Sequence, residues 1–475
     1  MNLSILIAIL NQLIWSKPMI FLCVGAGVFF TLRLRFPQIR HFRLAWRLLL
    51  SKDNDNQGVT PFQAFATTIG GHVGVGSIGG VATAICLGGP GSIFWMWLIA
   101  LIGMSTGFME ATLGQAYKTK LKNEFVGGPQ YYIEQGIGCK WYARWYAIVA
   151  IISMGILLPG SQSYSVASAM QSALGIPIDL MGIIFCVLLA LVIFGGVKRI
   201  CRTAEVIAPI MSIAFILMAL VIVLFNLRQV PATFALIFRS AFGQEQAFAG
   251  IAGSAVILGV KRSIFSNEAG DGTSALISAA AVGSHPAKQG LLASLSIFIT
   301  TIVIGSATAL MILLTGAYNV ADGAGGYLVE HLPGVEYGIR YTQEAIDRSL
   351  GGFGDLFVAI SVFFFAFMAL TALCYMAESN VNYLFPNSRI AKIIMRVVFL
   401  AGTYLGVKNT GAMIWTWGDL GIGMMVWLNV IALLLLFRQG AALLTDFEFQ
   451  LRQGIDPIFD PALFHIKDEQ QIWKP

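Results

Sequence analysis

The sequence predicts an all-α polytopic membrane protein with eleven transmembrane helices: one extra N-terminal helix, then a five-plus-five inverted repeat containing two broken helices. Three observations carry that reading. Only 11% of the 475 residues are charged and 57% are hydrophobic, against roughly 25% charged residues in an ordinary soluble domain; the mean hydropathy is +0.76. Apolar runs of the ~20 residues that a bilayer crossing needs recur along the whole sequence. Two of those runs, five spans apart, are interrupted by glycines or acids.

In chain order, Met1 to Ile14 has no basic start and no small-residue cleavage site, so it reads as a short interfacial helix and not as a cleaved signal peptide. Lys17-Pro18 opens the first span, 18–34. Further spans are expected at about 62–86, 91–117, 143–173, 179–197, 204–226, 248–283, 288–316, 355–384, 390–407 and 411–438. One transmembrane domain therefore comprises an extra helix with an internal loop (18–60), a first repeat (61–226), an inverted second repeat (248–438) and a cytoplasmic tail (439–475). With an external N-terminus, 22 lysines and arginines fall in internal segments and 6 in external ones. The positive-inside rule then places the N-terminus outside and the C-terminus in the cytoplasm of a plasma or inner membrane. The largest external loop, about 317–354, carries Asp322, Glu330, Glu336, Glu344 and Asp347 and is expected to fold over the external face.

The formal charge of +6 does not point to nucleic acid, because the basic residues lie between spans and not on one amphipathic face. The six cysteines show no paired spacing and sit in or beside apolar runs, which favours packing over disulfide or metal roles. No Ser/His/Asp, Cys/His or metal-ligand set occurs at useful spacing, and there is no GxxxxGK[ST] loop. The sequence thus predicts no enzyme, no cofactor and no ATP-driven step.

The two interruptions carry the chemistry. Residues 70–80 hold six glycines in eleven positions, each costing a continuous helix ~1 kcal/mol relative to alanine. Residues 265–274 put Glu268, Gly270, Asp271 and Gly272 at membrane depth, where acids are rare and face protein or water. Irregular backbone at that depth is tolerated where it lines a cavity. Half-helix N-termini there offer N–H groups to an anion and C-termini offer carbonyls to a cation, a match for a zwitterionic amino acid and equally for a carboxylate with a separate metal ion. The breaks open two halves of five spans each, and an odd number per half inverts one half relative to the other.

These segments resemble the alanine or glycine:cation symporter family. The matching stretches are Gly74–Ala82 (GVGSIGGVA), Leu87–Trp97 (LGGPGSIFWMW), Gly127–Tyr132 (GGPQYY), Gly259–Gly272 (GVKRSIFSNEAGDG) and His285–Gly290 (HPAKQG), and the similarity covers most of residues 15–435. The resemblance implies a secondary carrier importing a small neutral amino acid by alternating access, with Na+ as coupling ion. It places substrate against Gly74, Val75, Gly76 and Gly79 of the first break, Phe265, Ser266 and Asn267 of the second, and Gln162 of the fourth span. The sequence also departs from the family. Val75 and Ser77 replace a threonine and an asparagine, Phe298-Ile299-Thr300-Thr301 lacks a carboxylate, Met368 and Ala369 lack two hydroxyls, and Tyr164 replaces an asparagine. Ser77, Thr300 and Thr301 remain as neutral oxygens for a cation, and Asp271 adds a charge for proton or cation coupling. An amino-acid sensor that keeps the pocket without transport is the alternative. The expected partners are the substrate and the lipid bilayer; no oligomeric state is implied.

Other polar residues carry narrower expectations. His72 is read as a lining or capping residue before a proton relay, and Glu268 as a helix cap or ion-pair partner. Glu110 is expected in an interfacial salt bridge. Lys261 and Arg262 face carbonyl ends or headgroups, Asp419 serves gating or packing, and Phe94, Trp95 and Trp97 form an interfacial belt.

Overall fold

The computed structural model describes residues 3–50, 59–121, 124–468 and 470–473. Among these, nine helices are long and apolar enough to cross a membrane: Leu6–Arg33, Ser92–Ala116, Lys140–Leu174, Arg199–Phe225, Gln246–Asn267, Pro286–Thr315, Gly354–Leu384, Arg389–Val407 and Gly411–Leu435. Pro61–His72 and Gly76–Gly88 make a tenth crossing when taken together, bent by 47° at the break. The segment expected as the fifth span forms Ile178–Ile193, 16 residues, about 24 Å of helix against a hydrocarbon core of ~30 Å. The protein is a polytopic helical membrane protein.

Ser92–Ala116 runs through the middle of the bundle, and its small residues explain why. A Cβ on Gly107 would stand 2.4 Å from Ile297 Cδ1, and one on Gly114 would stand 2.6 Å from the Ala275 carbonyl. Small residues let membrane helices approach this closely. Arg199–Phe225 has the opposite character, exposing Ile210, Ile213, Leu217, Leu220 and Leu224, an apolar face suited to lipid. Pro209 lies inside this helix and, having no N–H, removes one bond from its ladder.

Three peripheral segments add contacts that the sequence did not reveal. The N-terminal helix Leu3–Ile14 does not lie apart from the first span: Leu6 to Arg33 forms one 28-residue run. It is held there by Trp427, whose indole N–H donates to the Ile14 carbonyl at 3.1 Å. Phe94 and Trp97 are covered by a helix that periodicity did not reveal, Val230–Ala241. Phe238 stands 5.5 Å from Phe94, and Phe234 stands 5.9 Å from Trp97, so these rings pack on protein. The end of the chain is docked on the bundle. The Phe459 N–H donates to the Ser284 carbonyl at 2.8 Å, Lys288 pairs with Asp456 at 2.7 Å, and Lys118 lies 4.1 Å over the Trp473 ring.

The long loop after Pro286–Thr315 contains one strand pair, Asn319–Ala321 with Tyr327–Glu330, and the helix Ile339–Leu350. It folds back onto the end of the first broken span, where the Tyr341 hydroxyl meets Cys86 Sγ at 3.6 Å.

Candidate functional site

The first break begins where the Pro61–His72 helix stops. Thr60 starts that helix with a capping box, its side chain accepting from Gln63 N and the Gln63 side chain accepting from Thr60 N. After His72 the chain bends and re-enters helix through a π-helical turn, Gly76–Gly80, before Val81–Gly88. The first N–H groups of a helix have no partner within it. One of them, on Val75, is taken by Gln162 Oε1 at 3.0 Å.

The second break uses left-handed backbone. Glu268 (φ 54°), Gly270 (φ 97°) and Gly272 (φ 105°) turn the chain between Asn267 and Thr273. A Cβ on Gly272 would fall 1.9 Å from the Tyr146 hydroxyl, so this position needs glycine for space as well as conformation. The short helix that follows, Thr273–Ala279, has its N-terminus occupied by protein carboxylates. Asp271 Oδ1 accepts from Thr273 N at 2.9 Å and Thr273 Oγ1 at 2.7 Å. Glu110 accepts from Gly270 N at 2.9 Å and Ser274 N at 3.1 Å. The sequence expectation of an interfacial salt bridge for Glu110 is therefore replaced by a fully buried cap on another span.

The two breaks meet. Ser77 Oγ and Ser266 Oγ lie 2.8 Å apart, and a Cβ on Gly76 would stand 2.9 Å from the Phe265 carbonyl. A Cβ on Gly74 would stand 2.8 Å from Gln162 Oε1. Gly74, Val75, Gly76, Ser77, Gln162, Phe265 and Ser266 thus share one locus. Gly79 faces a different wall, with Trp415 and Ile339 at 3.1 and 3.3 Å from a Cβ built there. Asn267 points away to Ser263 Oγ at 3.3 Å and Thr301 Oγ1 at 3.1 Å. Thr300 donates to the Ser296 carbonyl of its own helix at 2.8 Å. Asp271 is engaged in capping beside Glu110 and not with the three hydroxyls that sequence grouped with it.

Beside this locus sits a cluster that sequence did not assemble. Trp415 lies 5.2 Å from the Phe265 ring. The Arg262 guanidinium lies 5.0 Å from Phe265 and 5.2 Å from Trp415. Arg262 and Lys261 both pair with Asp419, Lys261 at 2.6 Å, which ties the second broken span to Gly411–Leu435. The two bases therefore face neither carbonyl ends nor headgroups. Beyond Trp415 lies a cleft of about 30 Å³ lined by Tyr164, Glu336 and Arg340; Tyr164 borders this cleft. A usable signal was present in the sequence: Trp415 and Asp419, one helical turn apart, lie on the same side of their helix.

The sodium:alanine symporter family model matches residues 1–461. Over 97% of this chain and 96% of the relative, the sequence is 47% identical to a Bacillus subtilis protein named "Putative sodium/proton-dependent alanine carrier protein YrbD". It is 44% identical to the "Sodium/proton-dependent alanine carrier protein" of Bacillus sp. strain PS3, over 90% of this chain and 96% of the relative. To the Bacillus subtilis "Amino-acid carrier protein AlsT" the identity is 36%, over 96% and 94%. Broken spans that meet in the bundle, and matches of this length, lead to one conclusion: the chain belongs to the sodium:alanine symporter family.

Proposed function

We propose that this protein is a secondary carrier that imports a small neutral amino acid, alanine, glycine or a similar solute, by alternating access coupled to a sodium or proton gradient. The observation that carries the reading is the meeting of the two breaks at Val75, Ser77, Gln162 and Ser266. These are neutral polar groups that hold one another and can exchange partners. A substrate carboxylate can replace Gln162 on the Val75 N–H, and an ammonium can donate to the serine hydroxyls. The close approach at Gly74 and Gly76 favours a solute with a very small side chain. Two relatives are named alanine carriers and one an amino-acid carrier; another, 38% identical over 96% of this chain, is named "Probable sodium/glutamine symporter GlnT", so the names agree on an amino acid and differ on its size.

In this reading Gly74, Val75, Gly76, Gln162, Phe265 and Ser266 contact substrate, with Gly79 and Asn267 shaping the walls. Ser77, Thr300 and Thr301 offer neutral oxygens along the cation route. The bundle is organised as an extra helix followed by two inverted halves of five, eleven spans in all, with Ile178–Ile193 as a short one. The N-terminus lies outside and the C-terminus in the cytoplasm, in keeping with the distribution of basic residues. Trp415, Arg262 and Asp419 close the external side.

Uptake of labelled alanine and glycine into proteoliposomes, under an inward sodium gradient, an inward proton gradient or neither, tests the carrier. Accumulation against concentration under either gradient is expected. Binding without flux under every gradient would sink the carrier and favour a sensor.

A further inference from the structure

His72 ends the first half of one broken span, is 2% exposed, and has no hydrogen-bond partner on either ring nitrogen. Glu268 sits in the turn of the other broken span, is 7% exposed, and has an unpartnered Oε2. That oxygen lies 3.8 Å from His72 Nε2, outside the 2.7–3.2 Å range of a hydrogen bond yet with each group facing the other. Leaving both unpaired in the interior costs on the order of 1–3 kcal/mol per group. One proton between them joins the two facing atoms, Glu268 Oε2 and His72 Nε2.

We propose that Glu268 and His72 form a proton-binding site bridging the two broken spans, with the proton carried on the Glu268 carboxyl and donated to His72 Nε2. The surrounding groups are acidic or neutral. Glu110, from Ser92–Ala116, binds Gly270 N and Ser274 N. Asp271 caps Thr273 with one oxygen and leaves Oδ2 unpartnered. Tyr146, from Lys140–Ile152, donates to the Asp271 carbonyl at 2.8 Å, and the Tyr132 hydroxyl goes to Asn429. On the neighbouring Gly354–Leu384 helix, Met368 and Ala372 face Gly70 and Gly71 with apolar atoms. Among the described residues, Glu268 forms its ion-pair contact with His72, and no lysine or arginine pairs with Glu110, Glu268 or Asp271. Uncompensated carboxylates at membrane depth are expensive. A proton needs no coordination shell of its own, and a neutral acid donating to a neutral imidazole leaves no charge at the pair. Because His72 and Glu268 belong to different broken spans, occupancy by a proton draws those spans together.

What the proton drives rests on the carrier reading; where it binds does not. Infrared difference spectra of the full-length protein in lipid, recorded as pH falls, read the site without substrate. A protonated-carboxyl band is expected that is missing in Glu268→Gln and whose midpoint moves by about one pH unit in His72→Gln, the size of an ordinary environmental shift. Identical carboxyl titrations in wild type and both variants would overturn the proposal. In proteoliposomes without sodium, alanine is expected to carry protons inward, with at least a tenfold drop in His72→Gln while alanine binding persists. Unchanged alanine-evoked proton movement in His72→Gln would also overturn it. If alanine is neither bound nor carried while the infrared signature is present, the proton site stands and the carrier reading falls.

Discussion

At the residue scale, the locus between the breaks is built by absence of side chain as much as by polar groups. Gly76 has the Phe265 carbonyl 2.9 Å from where its Cβ would lie, and that neighbour is backbone. Gly76→Ala is therefore expected to abolish uptake, by a factor of about ten or more, while the purified protein still folds; a fold-independent check is an unchanged elution profile in detergent. A near-normal uptake rate would mean that the two breaks separate easily. Asp419 anchors two cations, Arg262 and Lys261. Breaking a buried pair by removing one partner costs about 3–5 kcal/mol, so Asp419→Asn should lower the thermal unfolding temperature markedly, with Asp419→Glu restoring part of it. Much of this was legible beforehand. Gly74, Val75, Gly76, Ser77, Gln162, Phe265 and Ser266 could be named from spacing and resemblance and do converge. Arg262 and Asp419 could not be joined, because 157 residues separate them and no periodicity links partners on distant helices.

At the scale of elements, the short helix Thr273–Ala279 depends on a carboxylate lent by another span. Loss of a helix N-cap costs about 0.5–2 kcal/mol, and leaving buried backbone donors unpaired adds to it. Glu110→Gln is therefore expected to destabilise the protein by about 2 kcal/mol in denaturant unfolding, more than Thr60→Ala at the capping box of the other break. An equal effect of the two would argue against Glu110 as the second helix's cap. The existence of both breaks was legible in glycine and acid content. The cap was not, since Glu110 lies near the end of its span, before Lys118 and Lys120 in sequence, and points at Gly270 and Ser274 in space.

A second contact at this scale lies outside the spans. Glu448, on the helix Phe437–Arg452, accepts from His41 at 2.9 Å and pairs with Arg40 at 2.7 Å. Burial pushes its carboxyl up, but these hydrogen bonds and charges outweigh it, and the net result is a lowered pKa. A carboxyl depressed by folding contributes stability that is present above its unfolded value, about 4.3, and is lost as pH falls through the folded one. Unfolding temperatures should therefore fall with acidification in that window in the wild type, and by less in Glu448→Gln. An identical acid dependence in both would remove this contact from the account.

At the scale of the whole molecule, the fold class was the easiest part to read, because a shortage of charge leaves no surface for water. The number of crossings is harder. Ile178–Ile193 is apolar enough but short, so length and hydropathy disagree there, and it packs beside Arg389–Val407. The proposed orientation makes a simple prediction. In a background without native cysteines, Gly325→Cys in the loop between Asn319–Ala321 and Tyr327–Glu330 should react with an impermeant maleimide on intact cells. Gln453→Cys, after the helix Phe437–Arg452, should react after permeabilisation alone. The reverse pattern would invert the topology.

The start of the Thr273–Ala279 helix is already filled by Glu110 and Asp271, while the corresponding start near Val75 is held by a neutral amide. On the proposed reading, an incoming solute then finds its berth for the negative end near Val75 and enters with a fixed heading. In the proposed pose, with the carboxylate on the Val75 N–H and the ammonium at Ser77 and Ser266, the two remaining substituents on the α-carbon meet different walls. Handedness is the expected outcome: mirror-image forms of alanine should compete unequally for uptake, whereas glycine, which has no hand, is indifferent to the distinction.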